Sequence, residues 1–193
     1  MRFGFWRAGV LAFVVAAGGC GGLPGGRDVG LEDAARVDDG RVSFKVRGFM
    51  IIAPANQSAR RLGFVWRRAA GGDNEKDGAA DVITVRNVAG IVQARMRIDD
   101  DGALLATSSR QARAKDAETL TGRAFGMPLP MRLIGDFLGG GGDNAYFRHR
   151  LGEKMRKLGW RARFGTHDAD GLPMRFGADG GEGSVDIVIT GRQ

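Results

Sequence analysis

The strongest constraint on this chain is a two-residue alternation that begins at Arg41. Val42, Phe44, Val46, Gly48, Met50 and Ile52 fall on one side of an extended segment, and Lys45 and Arg47 on the other. Successive side chains of a strand point to opposite faces, so the pattern predicts a long strand with one face in a core. Phe49 and Ile51 make the second face apolar toward its end. Leu62, Phe64 and Trp66 repeat the alternation against Arg61, Gly63, Val65 and Arg67 after a turn over residues 54–57, and a hairpin is the simplest arrangement. Residues 71–78 read as a charged turn. Residues 82–86 then lead through Asn87, Val88, Ala89 and Gly90 into 91–98, a second hairpin. Asp99, Asp100, Asp101 and Gly102 turn the chain into 103–107, and residues 146–149, 159–164, 172–176 and 185–190 supply further short strands. An antiparallel sheet of this many strands must curl or close to hide its edges.

Between these two groups of strands lies residues 116–139, where the period changes from two to three and four. Leu120, Ala124 and Phe125, and then Met131, Ile134, Phe137 and Leu138, place apolar side chains on one face of each of two helices. The break is written into Gly126, Met127, Pro128, Leu129 and Pro130. Gly126 can close the first helix in a left-handed conformation, Pro128 cannot continue it, and Pro130 suits the start of the second. The glycine run from Gly139 ends the second helix. Such helices cover a sheet or fill the mouth of a curled one. Phe44, Met50, Phe64, Trp66, Met96 and Trp160, with Phe164 and Phe176, then line either a filled core or a cavity.

The first residues do not belong to this fold. Arg2 and Arg7 precede the apolar run 10–17, which has signal-peptide length and is too short to favour a spanning helix. Ala17, Gly18 and Gly19 then meet Cys20 in an order that resembles the bacterial lipobox, in which the cysteine is acylated and the peptide is cut just before it. A lone cysteine in an exported chain has no intramolecular disulfide partner, which agrees with a role as the anchor. Residues 1–19 therefore read as a lipoprotein signal peptide, 20–40 as a lipidated N-terminus and flexible tether with a short helix near 31–37, and 41–193 as the folded domain. The absence of an aspartate at Gly21 resembles an outer-membrane address.

The net charge of +7 suits an anionic partner, and the chain stays basic after Arg2 and Arg7 are removed. Its arginines are spread over alternating strands, without zinc spacing, a helix-turn-helix or an aromatic RNA-binding pattern, so nucleic acid is excluded as the partner class. There is no nucleophile elbow and no metal-spaced histidine pair, and no cofactor or metal is expected. His149 and His167 read as solvated, and Asp116 and Glu118 as first-turn charges that favour a helix N-terminus rather than catalytic acids.

The strand pair VSFKVRGFMI and RLGFVWRR, the hairpin NVAG, the segment DAETLTGRAFGMPLPMRLIGDFLGG and the lipobox cysteine together resemble the LolB family of outer-membrane lipoproteins, over residues 42–190. The resemblance implies an unclosed antiparallel β-barrel with short α-helices packed inside it. It implies a lipid-anchored, periplasm-facing monomer that accepts lipoproteins from a LolA-like periplasmic carrier and inserts them into the outer membrane. The acyl-chain cavity would be lined by Phe44, Phe64, Trp66, Met96, Phe137 and Trp160. The family's exposed hairpin carries an apolar leucine in an N-P-L-G context. The matching positions here are Asn87, Val88, Ala89 and Gly90, so alanine stands in place of leucine and the insertion role is shared among Val88, Ala89 and Ile91. Arg47, Arg61 and Arg67 are the basic residues expected to meet the carrier. The other reading is a structural or assembly lipoprotein whose barrel core is simply full.

Overall fold

In the computed structural model, which describes residues 42–69, 79–139, 145–169 and 171–192, the alternating segments become strands of one sheet. The signal segment, Cys20, the tether and the turn at 71–78 lie outside the described residues. Strand β1 (Val42–Pro54) pairs with β2 (Arg60–Ala69), and β3 (Ala80–Arg86) with β4 (Val92–Asp99), as the two expected hairpins. Strands β5 (Gly102–Thr107) and β6 (Gln111–Ala114) follow, then helices α1 (Ala117–Phe125), α2 (Met131–Leu138) and α3 (Ala145–Lys157), and finally β7 (Trp160–Phe164), β8 (Arg175–Gly180) and β9 (Gly183–Arg192).

Among the described residues the sheet is antiparallel throughout, in the order β6-β5-β4-β3-β2-β1-β9-β8-β7. β6 and β7 are its two edges and do not pair with each other, so the barrel is left unclosed. Its bend follows from what α2 touches. Gly135 packs on Trp66 of β2, while the Phe137 ring lies 5.4 Å from Phe164 of β7 and 4.9 Å from Phe176 of β8. From β2 to β7 is four strand spacings, about 19 Å in a flat sheet, whereas a helix of this length is only about 12 Å long. The sheet therefore wraps round the helix. α1 packs on β5 and β6 near one edge, α3 on β7 at the other, and α2 lies between them.

The register sets the two rims of this open barrel. Gly63 pairs with Arg86, Pro54 with Gly183, Gly183 with Gly180, and Gly180 with Trp160. One rim thus carries residues 87–91, the 181–182 turn and the junction between α3 and β7. The other carries the ends of β2 and β4 and the start of β3.

The break between α1 and α2 forms as its composition requires. Asp116 caps α1 by accepting from the Thr119 backbone N–H at 2.7 Å, and Gly126 ends the helix with φ 79°. Pro130 stands just before the first turn of α2. Thr121 fastens the connection: its hydroxyl donates to Ala117 O and accepts from Leu129 N, both at 2.8 Å.

Three local expectations are corrected. Residues 146–149 are not a strand but the opening of α3, whose Phe147, Leu151 and Met155 recur every fourth residue and turn inward. The third late strand begins at Arg175 rather than at 172, because Pro173 has no N–H to give a ladder and instead forms an isolated bridge with His167. Strand β6 carries no sequence signal of its own: of its residues QARA only Ala114 reaches the core, and the strand is held by backbone pairing to β5 and by the contact with α1.

Candidate functional site

The hairpin at residues 87–91 is a hydrogen-bonded turn with apolar contents. Asn87 organises it: its Oδ1 accepts from the N–H groups of Ala89 and Ile91, each at 3.0 Å, and its backbone N–H donates to Ile91 O. Gly90 N–H donates to Asn87 O, and Arg86 Nη1 holds Gly90 O at 2.9 Å. Gly90 has φ 80°, a conformation that L side chains seldom adopt, so glycine is required by backbone geometry rather than by crowding. At the tip of this turn Val88 is 98% exposed and Ile91 61% exposed, and Ala89 is exposed beside them. Ile91 precedes β4 instead of opening it. Its side chain therefore belongs to the tip.

The six residues expected to line a cavity all reach the interior. Phe44, Phe64, Trp66, Met96, Phe137 and Trp160 are buried members of one continuous apolar core. Trp66, Ile83 and Met96 stand opposite one another across β2, β3 and β4, so they form a single inward row. Ile134, Phe137 and Leu138 of α2 close over the sheet.

One rim of this core holds a polar cluster that the sequence reading had not singled out. Asp81 is 3% exposed, and its carboxylate accepts from Trp66 Nε1 at 2.9 Å and from Arg68 Nε and Nη2, each at 2.8 Å. Arg68 Nη1 reaches Asp136 of α2 at 2.8 Å, and its guanidinium lies 5.4 Å from the centre of the Phe44 ring. Burial disfavours the charged guanidinium, but the bonds and charges of Asp81 and Asp136 outweigh it and hold the Arg68 pKa above its ordinary value. Gly135 makes the close approach possible: a Cβ there would collide with Arg68 Nη2 and lie 3.0 Å from Trp66 Cζ2. Arg192 adds a second tie, donating to Leu138 O at the end of α2 at 2.7 Å and to Pro173 O. Burial pushes the Arg192 pKa down, with Asp168 opposing.

Arg47, Arg61 and Arg67 are exposed on the outer face of β1 and β2. Lys45 stands opposite Arg67, and Ile51 opposite Arg61. The Arg61 guanidinium lies 4.0 Å from the centre of the Phe49 ring. The three are brought to one face but not to one point. His149 is exposed, 3.9 Å from Glu153, while His167 lies in a loop bridged to Pro173. Hydrogen bonds from Thr119 lower the Asp116 pKa, as suits a helix cap, and burial raises that of Glu118. Among the described residues no cluster of His, Cys, Asp or Glu is placed to hold a metal ion, and no helix is long and apolar enough to cross a membrane.

The class these features define is an unclosed antiparallel β-barrel, filled by short helices, with an apolar loop projecting from one rim. Residues 66–191 match the family described as Outer membrane lipoprotein LolB, and the chain belongs to that family. It is a family of outer-membrane lipoproteins that act in lipoprotein localisation, not one of enzymes. The matched span takes in all three helices, the hairpin tip and the Arg68 cluster, and leaves β1 and the first half of β2 outside it. No curated protein matches the chain.

Proposed function

We propose that this protein accepts lipoproteins from a periplasmic carrier and inserts them into the outer membrane, holding their acyl chains against Phe44, Phe64, Trp66, Met96, Phe137 and Trp160 during the transfer. The observation that carries the reading is the tip. A soluble turn gains nothing by fixing a valine at 98% exposure on a turn held by the Asn87 hydrogen bonds, whereas a loop that meets a bilayer gains by burying it. Burial of Val88 and Ile91 would contribute on the order of 1–3 kcal/mol each, enough to orient the molecule but not to anchor it. Anchoring falls to acylated Cys20, because several acyl chains hold a protein to a membrane where one does so only marginally.

Transfer needs no covalent chemistry. Each acyl methylene gains about 0.8 kcal/mol on leaving water, and the apolar core and the bilayer offer nearly the same gain, so cargo can pass between them without an energy source. The Phe137 ring of α2 rests on Phe164 and Phe176, so displacing α2 against its ties to Arg68 and Arg192 would make room for a chain. Arg47, Arg61 and Arg67 on the outer face would steer an acidic carrier to the protein.

The test replaces Val88 and Ile91 together by glutamate and follows delivery of lipoprotein to liposomes. A charge resists entry into hydrocarbon, so delivery should slow by about tenfold while folding and cargo uptake stay intact. Ala89→Leu should preserve or raise the rate. Delivery by the double variant at the parent rate would reduce the tip to an ordinary turn.

A further inference from the structure

A groove of about 720 Å³ lies between α3 and β7, the free edge of the sheet, and its walls are basic. Arg148 and Arg156 project into it from α3 and Arg161 from β7, and no carboxylate among the described residues pairs with any of the three. Asp179 also lines the groove, but its carboxylate is engaged by Arg163 Nε at 3.1 Å. His149, at the same wall, has Glu153 beside it.

The floor is open where a helix would ordinarily be filled. Gly152 sits midway between Arg148 and Arg156 on one stripe of α3, and a Cβ placed there would meet nothing within 4 Å. No packing demands that glycine, although glycine inside a helix costs about 1 kcal/mol relative to alanine. Its effect is to leave open space on the stripe between two arginine positions that line the groove. Arginine forks match the oxygens of a phosphate in two-point geometry, so a groove lined by three arginines without carboxylate partners has the chemistry to take a phosphate.

The location adds a second clue. Leu158, 53% exposed, follows the last turn of α3 with its Lys154, Arg156 and Lys157. The register puts this junction on the rim that carries Val88 and Ile91, so three of the large apolar side chains left exposed share one rim of the barrel. We propose that the groove between α3 and β7 seats the phosphate headgroup of an anionic phospholipid in the bilayer, with Leu158 entering the hydrocarbon beside it. The protein would then rest on the membrane at two points of one rim, the apolar tip and a basic, headgroup-binding helix end. The inference takes the orientation of that rim from the membrane-facing reading of the tip.

The test uses the mature lipidated chain in liposomes that contain phosphatidylglycerol with a photoreactive headgroup, and locates the labelled residues by mass spectrometry. Labelling should fall on residues 148–161. A charge close to an anionic surface changes binding about fivefold, so Gly152→Glu should reduce labelling by about that factor and Gly152→Lys should raise it. The open space at Gly152 lets both variants fold, and a thermal melt checks that they do. Equal labelling from a phosphatidylcholine probe, or no opposite response of the two variants, would overturn the proposal. So would loss of labelling in a modest excess of inorganic phosphate, which would make this a site for free phosphate. Unchanged labelling of Gly152→Glu together with slower cargo acceptance would assign the groove to the carrier and overturn it as well. Slow delivery by the Val88 and Ile91 variant with normal headgroup labelling would separate the tip from the groove.

Discussion

At the scale of single residues, the most consequential group is Asp81, because a carboxylate 3% exposed has no water to fall back on. Its three hydrogen bonds to Trp66 and Arg68 join β2 and β3, and Arg68 carries the connection on to Asp136 of α2. Removing one partner of a buried charge pair leaves the other uncompensated and typically costs about 3–5 kcal/mol. Asp81→Ala is therefore predicted to lower the unfolding free energy by about that amount, read from the denaturant midpoint, whereas Asp179→Ala, at an exposed pair, should change it by less than about 1 kcal/mol. Part of this cluster was legible in the sequence. The alternation that turns Leu62, Phe64 and Trp66 inward also turns Arg68 inward, and an inward arginine calls for an acid. Which acid it would be was not legible, since Asp81 and Asp136 come into reach only through the strand register and the placement of α2.

At the scale of elements, the break between α1 and α2 was readable because each of its parts acts locally. Gly126 reverses the backbone and proline bars continuation; at the other end of α1, Asp116, read as a first-turn charge, is the cap itself. The cap gives a prediction with a pH dependence. Hydrogen bonds from Thr119 lower the Asp116 pKa in the folded state, so the stability they bring is present above the ordinary aspartate value of 3.8 and is lost as the pH falls through the lower, folded value. Asp116→Ala should cost about 1 kcal/mol near neutral pH. The gap between parent and variant should close in acid melts below that value; a gap that stayed constant into strong acid would mean that the carboxylate does not cap the helix in its charged form. α3 was misread for a physical reason. Its apolar stripe is only Phe147, Leu151 and Met155 amid charges, and the short window 146–149 shows one apolar pair and no period. β6 left no trace, because only Ala114 of its four residues turns toward the core and one inward residue makes no alternation.

At the scale of the whole molecule, the antiparallel sheet and the two helices set between its strands were legible from strand alternation and from residues 116–139, whereas the open barrel with helices inside it came with the family resemblance, which the match at 66–191 bears out. What the sequence left open was whether the inward aromatics enclose a cavity or a filled core, because burial alone describes either. Phe137 of α2 rests on Phe164 and Phe176 and α2 is tied down by Arg68 and Arg192, so in the proposed acyl transfer α2 yields to an incoming chain. The position that reports this most directly is Phe64, 2% exposed on the inward face of β2. With a photoreactive phenylalanine analogue at Phe64, illumination during transfer is predicted to attach acylated cargo to the protein and to leave the same cargo without acyl chains unattached. If folded protein delivers its cargo and yet gives no adduct at Phe64 or at Phe137, the acyl chains do not pass through the core, and the barrel is a filled structural domain.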